Sequence, residues 1–127
     1  MMRKMPSKTF ESNCSVSSQG VLRGIHYSVA RAGQAKWVSC LEGEIQDYVV
    51  DLRFGSPTFG QWKSEIISSE NGKSIVIGNG IGHAFEVMTD KCIVSYSLST
   101  TYDPETERTI NPFDTQLAVQ WKLKNPT

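Results

Sequence analysis

Apolar and polar residues alternate with a period of two along most of this chain, and Gly, Pro, Asn and Asp cut the alternating runs at intervals of roughly 8–12 residues. Side chains two apart share one face of a strand, so each run buries one face and wets the other. This pattern predicts an all-β protein, an antiparallel sandwich or barrel with little helix. The clearest strands cover residues 36–41, 44–53, 60–67, 74–77, 83–88 and 91–98, with an earlier one at 20–27 and a late one at 117–123. Glu42-Gly43 reads as a tight turn, 54–60 as a longer loop, Asn71-Gly72 as a hairpin turn and 78–82 as a glycine-rich approach to His83. Residues 102–108 and 111–114 read as loops.

A chain of 127 residues is long enough for one core, so residues 1–127 are expected to form a single domain, and no repeat or linker divides them. Lys+Arg and Asp+Glu both number 13, and no basic block is present. The chain therefore lacks the field that recruits nucleic acid or acidic lipid, and an anionic ligand must be held by a few placed cations. Cys14, Cys40 and Cys92 are odd in number and have no CxxC spacing, which suits reduced thiols in the cytoplasm. The N-terminal residues carry charge without a following apolar stretch of signal-peptide length, and no run of apolar residues is long enough for a membrane span. A soluble, non-secreted protein is the expectation.

Gly20-Val-Leu-Arg-Gly-Ile-His-Tyr27 and the following Gln34-Ala-Lys36 place Arg23, His26 and Lys36 in strand patterns. A cation or imidazole inside a sheet protein must be paired or lose its charge, so these residues point to a pocket. Alternation puts Lys36 on one face with Val38 and Cys40, His83 with Phe85 and Val87, and Tyr96 with Cys92, Val94 and Leu98. Each polar group ends or begins an apolar row, as at a cavity mouth in a small barrel. His26 is suited to proton abstraction near neutral pH, Lys36 to stabilising an oxyanion, Tyr96 to donating a proton, and Arg23 to gripping phosphate. Each residue taken singly also has a plainer role: a satisfied imidazole, a lysine reaching water from a strand end, a core tyrosine, a surface ion pair. The two histidines belong to no HxH or HxxxH pair and the cysteines are scattered, which disfavours a metal. GxSxG, GxGxxG and P-loop signatures are missing, so no nucleotide cofactor is expected.

Taken in order, those two segments with Val50-Asp-Leu-Arg53, Gly55-Ser-Pro-Thr-Phe-Gly60, Gly82-His-Ala-Phe85, Tyr96 and Tyr102-Asp-Pro-Glu-Thr-Glu-Arg108 closely resemble the dTDP-4-dehydrorhamnose 3,5-epimerase family. The resemblance runs from about Phe10 to about Trp121 at nearly constant spacing. It implies a cupin-like jelly roll (double-stranded β-helix), metal-independent and homodimeric, that acts on a nucleotide-linked 4-keto-6-deoxyhexose in deoxysugar biosynthesis. By position it implies that His26 is the catalytic base and Tyr96 the general acid. Lys36 and His83 match sugar contacts, Arg23 a diphosphate contact, Glu107 a further substrate contact, and Asn13 the end of an upstream contact segment from which Glu11 and Ser12 depart.

A hydrogen beside a ketone becomes removable when the charge developing on the keto oxygen is stabilised, so a base and an oxyanion partner must act together. Inversion then needs a separate acid on the opposite face. The resemblance also implies two further parts outside these residues: an N-terminal region with a substrate-contacting arginine and glutamate, and, past Thr127, a Ser-x-Lys-Asp-like stretch whose aspartate orients the histidine. Asp114 is a substitute that the sequence does not place near His26. Two alternatives therefore stand beside the epimerase: a catalytically impaired sugar-nucleotide binding module and a sugar ketoisomerase.

Overall fold

The alternating runs form nine strands among the described residues of the computed structural model, which are 11–31, 33–100 and 103–127. In chain order they are β1 (Glu11–Ser18), β2 (Leu22–Ser28), β3 (Lys36–Glu42), β4 (Glu44–Asp51), β5 (Trp62–Ser68), β6 (Ser74–Ile77), β7 (Ile81–Val87), β8 (Lys91–Leu98) and β9 (Glu107–Thr109). They build a four-stranded sheet, β1-β8-β3-β6, and a five-stranded sheet, β5-β4-β7-β2-β9. Every pairing is antiparallel, and strands distant in sequence lie side by side, as in a jelly roll. No helix is present among the described residues.

The two sheets face each other across a core of Val38 and Cys40 from β3, Ile45 from β4, Ile67 from β5, Phe85 and Val87 from β7, and Cys92 and Val94 from β8. Full burial of each such aliphatic side chain contributes about 1.5–3 kcal/mol before entropy is counted. The alternation of Lys36, His83 and Tyr96 with their apolar rows holds, because the shift in the β3–β8 pairing comes only after Cys40, and β4 pairs with β7 in unbroken register.

A second core lies on the outer face of the five-stranded sheet, where Ile25, Tyr48, Val50 and Ala84 pack against Trp62, Ile110, Leu117, Val119 and Trp121. Its cover is the C-terminal segment, expected as a strand over 117–123 but irregular in fact. Ala118 adopts a left-handed φ of 49°, which interrupts extended backbone. The amides of Lys122 and Leu123 donate to the carboxylate of Glu86, at 3.0 and 2.9 Å, instead of to a neighbouring strand. Glu86 is fully buried and also accepts a 2.6 Å hydrogen bond from the Tyr48 hydroxyl. Three donors thus satisfy one buried carboxylate and tie the tail to the sheet.

Three other expectations change. β1 lies in serine-rich sequence that carries little apolar signal, and β9 takes over the last two residues of the expected 102–108 loop and Thr109 by pairing with β2 through His26↔Thr109 and Ser28↔Glu107. β4 ends at Asp51, two residues early. There the Asp51 carboxylate accepts from the Arg53 amide and guanidinium and from the Ser56 and Thr58 hydroxyls, knitting the following loop. Those donors, the Arg53 guanidinium first, hold the Asp51 carboxyl well below the usual carboxylate range.

Candidate active site

Towards one end the space between the sheets opens into a cavity of about 580 Å³. The four-stranded sheet lines it with Asn13 and Ser15 from β1, Lys36 from β3, and Tyr96 and Leu98 from β8; the five-stranded sheet contributes Arg23 and His26 from β2, His83 and Phe85 from β7, and Glu107 and Thr109 from β9. Glu11 and Pro104 complete the wall. The seven residues singled out in the sequence, His26, Tyr96, Lys36, Arg23, His83, Glu107 and Asn13, all line this one cavity. Tyr102 and residues 1–10 lie outside the described residues.

Simple alternation would put Arg23 and His26, three apart, on opposite faces of β2. The pairing of β2 with β7 shifts register between them, so both side chains reach the cavity while Ile25 turns into the outer core. Gly24 makes this possible. Its φ is 129°, and a Cβ there would stand 2.5 Å from the Cβ of Ala84 and 2.7 Å from the His83 carbonyl oxygen. Beyond the shift, His26 lies opposite His83 on one side and Thr109 on the other.

His26 Nδ1 is 3.2 Å from the Thr109 hydroxyl. Loss of hydration lowers its pKa from the ordinary 6.5, and the positive charges of Lys36, His83 and Arg23 lower it further, so the ring is kept neutral and able to take a proton. Lys36 stands on the facing sheet with its Nζ 5.9 Å from the centroid of the Tyr96 ring. Burial lowers the lysine's pKa, and the negative charges of Glu107 and Asp47 work against that fall. Burial conversely raises the pKa of Glu107, against the charge of Lys36. Arg23 Nε donates to Ser17 Oγ at 2.9 Å, which steadies the guanidinium, and among the described residues Arg23 enters no ion pair.

Asp47 and Thr109 are site residues that the sequence reading missed. Asp47 joins the cavity through His83, whose Nε2 is 2.6 Å from Asp47 Oδ2, both side chains buried. A carboxylate inside the run Ile45-Gln-Asp-Tyr-Val-Val50 was the available signal, because a buried acid in a central strand needs a partner. Asp114 does not reach His26: its carboxylate caps the amides of Gln116 and Leu117 beside a separate hollow lined by Leu52, Phe59 and Ile110. Among the described residues no group of three or more His, Cys, Asp or Glu is placed to hold a metal.

A solved structure of similar shape is that of NovW, a 4-keto-6-deoxy sugar epimerase from the novobiocin biosynthetic gene cluster of Streptomyces spheroides. It superposes with a TM-score of 0.90 at 42% identity, covering 92% of this chain and 59% of that one. The dTDP-6-deoxy-D-glucose-3,5-epimerase of Legionella pneumophila, solved in complex with dTDP-4-keto-L-rhamnose, matches with a TM-score of 0.86 and 42% identity over 95% of this chain and 64% of its own. The dTDP-4-dehydrorhamnose 3-epimerase of Streptomyces niveus is 41% identical over 121 residues, 95% of this chain and 58% of that protein. The chain thus spans a little over half the length of the curated relatives it matches. The sequence pattern of one family, dTDP-4-dehydrorhamnose 3,5-epimerase, matches residues 2–127, nearly the whole chain, and the solved relatives share this fold. On that agreement the chain belongs to the dTDP-4-dehydrorhamnose 3,5-epimerase family.

Proposed function

We propose that this chain is an epimerase, an isomerase that inverts C3, C5 or both of a nucleotide-linked 4-keto-6-deoxyhexose through an enolate, with dTDP as the nucleotide. One observation carries the reading: a neutral imidazole on β2 faces, across one cavity, an ammonium and a phenol that neighbour each other on the opposite sheet. A sugar bound between the sheets presents one ring face to His26 and the other to Tyr96. His26 removes the proton beside the ketone, and the charge moves onto the keto oxygen, where Lys36 neutralises it without itself losing a proton. Tyr96 then gives its phenolic proton to the carbon from the other side, and configuration inverts. Arg23, at the cavity rim, is the cation for the diphosphate, while His83, Glu107 and Asn13 hold sugar hydroxyls. Lys36 supplies the positive charge that this chemistry requires, so the scheme runs without a metal.

The partner we assign is a second copy of the chain. On the outer face of the four-stranded sheet, Val16, Trp37, Leu41 and Val76 are 57–70% exposed. The ion pair of Lys91 with Glu42 sits where β8 begins and β3 ends. Such a face with two open edge strands suits pairing with its own copy. We place the protein in the cytoplasm, where its three free thiols stay reduced. Incubation with dTDP-4-keto-6-deoxyglucose, with the product's ring protons read by NMR, tests the activity. Inversion at C3 or C5 is the expected result. Calorimetric binding without turnover would replace the epimerase by a sugar-nucleotide binding module, and a moved carbonyl would replace it by a ketoisomerase.

A further inference from the structure

Behind the cavity wall, bonded to His83, lies a buried acid that the reaction scheme leaves unused. Asp47 is 1% exposed on the inward face of β4, between Ile45 and Val49 in alternation. Its cross-strand partner on β7 is Phe85, and His83 stands opposite Val49, so Asp47 reaches His83 diagonally. Asp47 Oδ2 lies 2.6 Å from His83 Nε2, whereas Oδ1 is buried and has no hydrogen-bond partner among the described residues. A carboxylate is expensive to keep in a sheet interior with half its acceptor capacity unused. Asparagine, or an aliphatic residue with a differently anchored ring, would fill the same space more cheaply.

We propose that Asp47 is a positioning residue: it fixes the His83 ring with Nε2–H donated into the sheet, so that Nδ1 is the atom offered to the bound sugar. The inference rests on the functional reading of this cavity and adds the group that sets the geometry of one sugar contact. An imidazole ring has two orientations and, when neutral, two tautomers, and a single acceptor at Nε2 removes that freedom. A sugar hydroxyl then meets the same nitrogen in every encounter. The negative charge of Asp47, behind the cavity wall, also works to keep Lys36 protonated.

The chain has only two histidines, which makes ring NMR on 15N-histidine-labelled protein a direct test. In the wild type, the His83 signals, assigned with a His83→Gln variant, should show one Nε2–H proton in slow exchange with water. Adding dTDP-glucose, which has no 4-keto group to enolise, should shift Nδ1 of that ring. Asp47→Ala should lose the protected proton and the ligand-induced shift, and Asp47→Asn, which preserves shape if the alanine variant fails to fold, should at least speed the exchange. In turnover, Asp47→Asn should lower kcat/KM about 10–100-fold, a typical cost of removing a histidine's orienting partner. The same change made on top of His83→Gln should cost little more. A wild-type His83 ring proton in fast exchange, a dTDP-glucose shift unchanged in Asp47→Ala, or fully additive losses would overturn the proposal. If turnover is absent altogether, the proposed reaction fails, and the exchange and dTDP-glucose spectra still decide the role of Asp47.

Discussion

Lys36 and Tyr96 stand together on neighbouring strands of one sheet, the ammonium 5.9 Å from the centre of the phenol ring, while His26 occupies the other sheet. On the proposed roles, the oxyanion partner and the acid thus share one wall and the base has the other. A sandwich provides this separation from its architecture, because its two inner faces look at each other across about 10 Å. In the proposed reaction, a sugar held between them would lose its proton to one side and the resulting enolate would regain one from the other.

Tyr96→Phe keeps the ring beneath Lys36 and removes only the proton to be delivered. Epimerised product should fall by about 10²–10⁴-fold, the usual range for one proton-transfer group. The protein's thermal midpoint should stay within a few degrees of the wild type. Product NMR and a melting curve check both.

The pH profile follows from the two shifted groups. His26 acts as a base only when neutral, and its pKa is lowered, so kcat/KM should hold down to a pH below 6.5 before its acid limb begins. Lys36 acts only when protonated, and its pKa is also lowered, so the alkaline limb should set in below 10.5. Lys36→Met removes one of the charges that hold His26 down. In whatever activity remains, the acid limb should therefore move up towards pH 6.5.

The clamp on the C-terminal segment should show in stability. Tyr48→Phe removes a 2.6 Å donor from the buried Glu86 carboxylate while keeping the ring that packs on Trp62 and Trp121. A hydrogen bond to a charged group is worth about 1.5–3 kcal/mol, and a loss of that size is expected in urea unfolding. Unchanged stability would mean that the amides of Lys122 and Leu123 suffice.

Gly24→Ala should damage both fold and function. Its φ of 129° and the 2.5 Å approach to Ala84 leave no place for a methyl group, so the strand must move and re-aim Arg23 and His26. Loss of more than about 1 kcal/mol of stability with a fall in kcat/KM is expected. Urea unfolding and steady-state kinetics read the two effects separately.

Outer-face burial by a second copy should depend on Trp37. Trp37→Lys places a charge in the apolar patch, and if the proposed pairing holds, light scattering should report a dimer for the wild type and a monomer for the variant.

The cavity was legible in the sequence wherever strands are regular. Period two alone placed Lys36, His83 and Tyr96 at the ends of apolar rows. Arg23 and His26 needed more, since their shared direction comes from a register shift that no local pattern encodes. Asp47 and Glu86 stayed hidden because their partners, His83 and the tail amides, are distant in sequence. Residues 117–123 misled for a related reason. Their alternation is real, and it half-buries Leu117, Val119 and Trp121, but the second core needs only one side of the segment covered and offers its backbone no strand to pair with.

The central claim is proton removal by His26 beside a ketone, and deuterium wash-in measures it most directly. With dTDP-4-keto-6-deoxyglucose in D₂O, the wild type should place solvent deuterium at C3 or C5, and His26→Asn should lose that incorporation by at least 100-fold. A wild type that incorporates none at high enzyme concentration, or a His26→Asn protein that exchanges as fast as the wild type, would contradict the account.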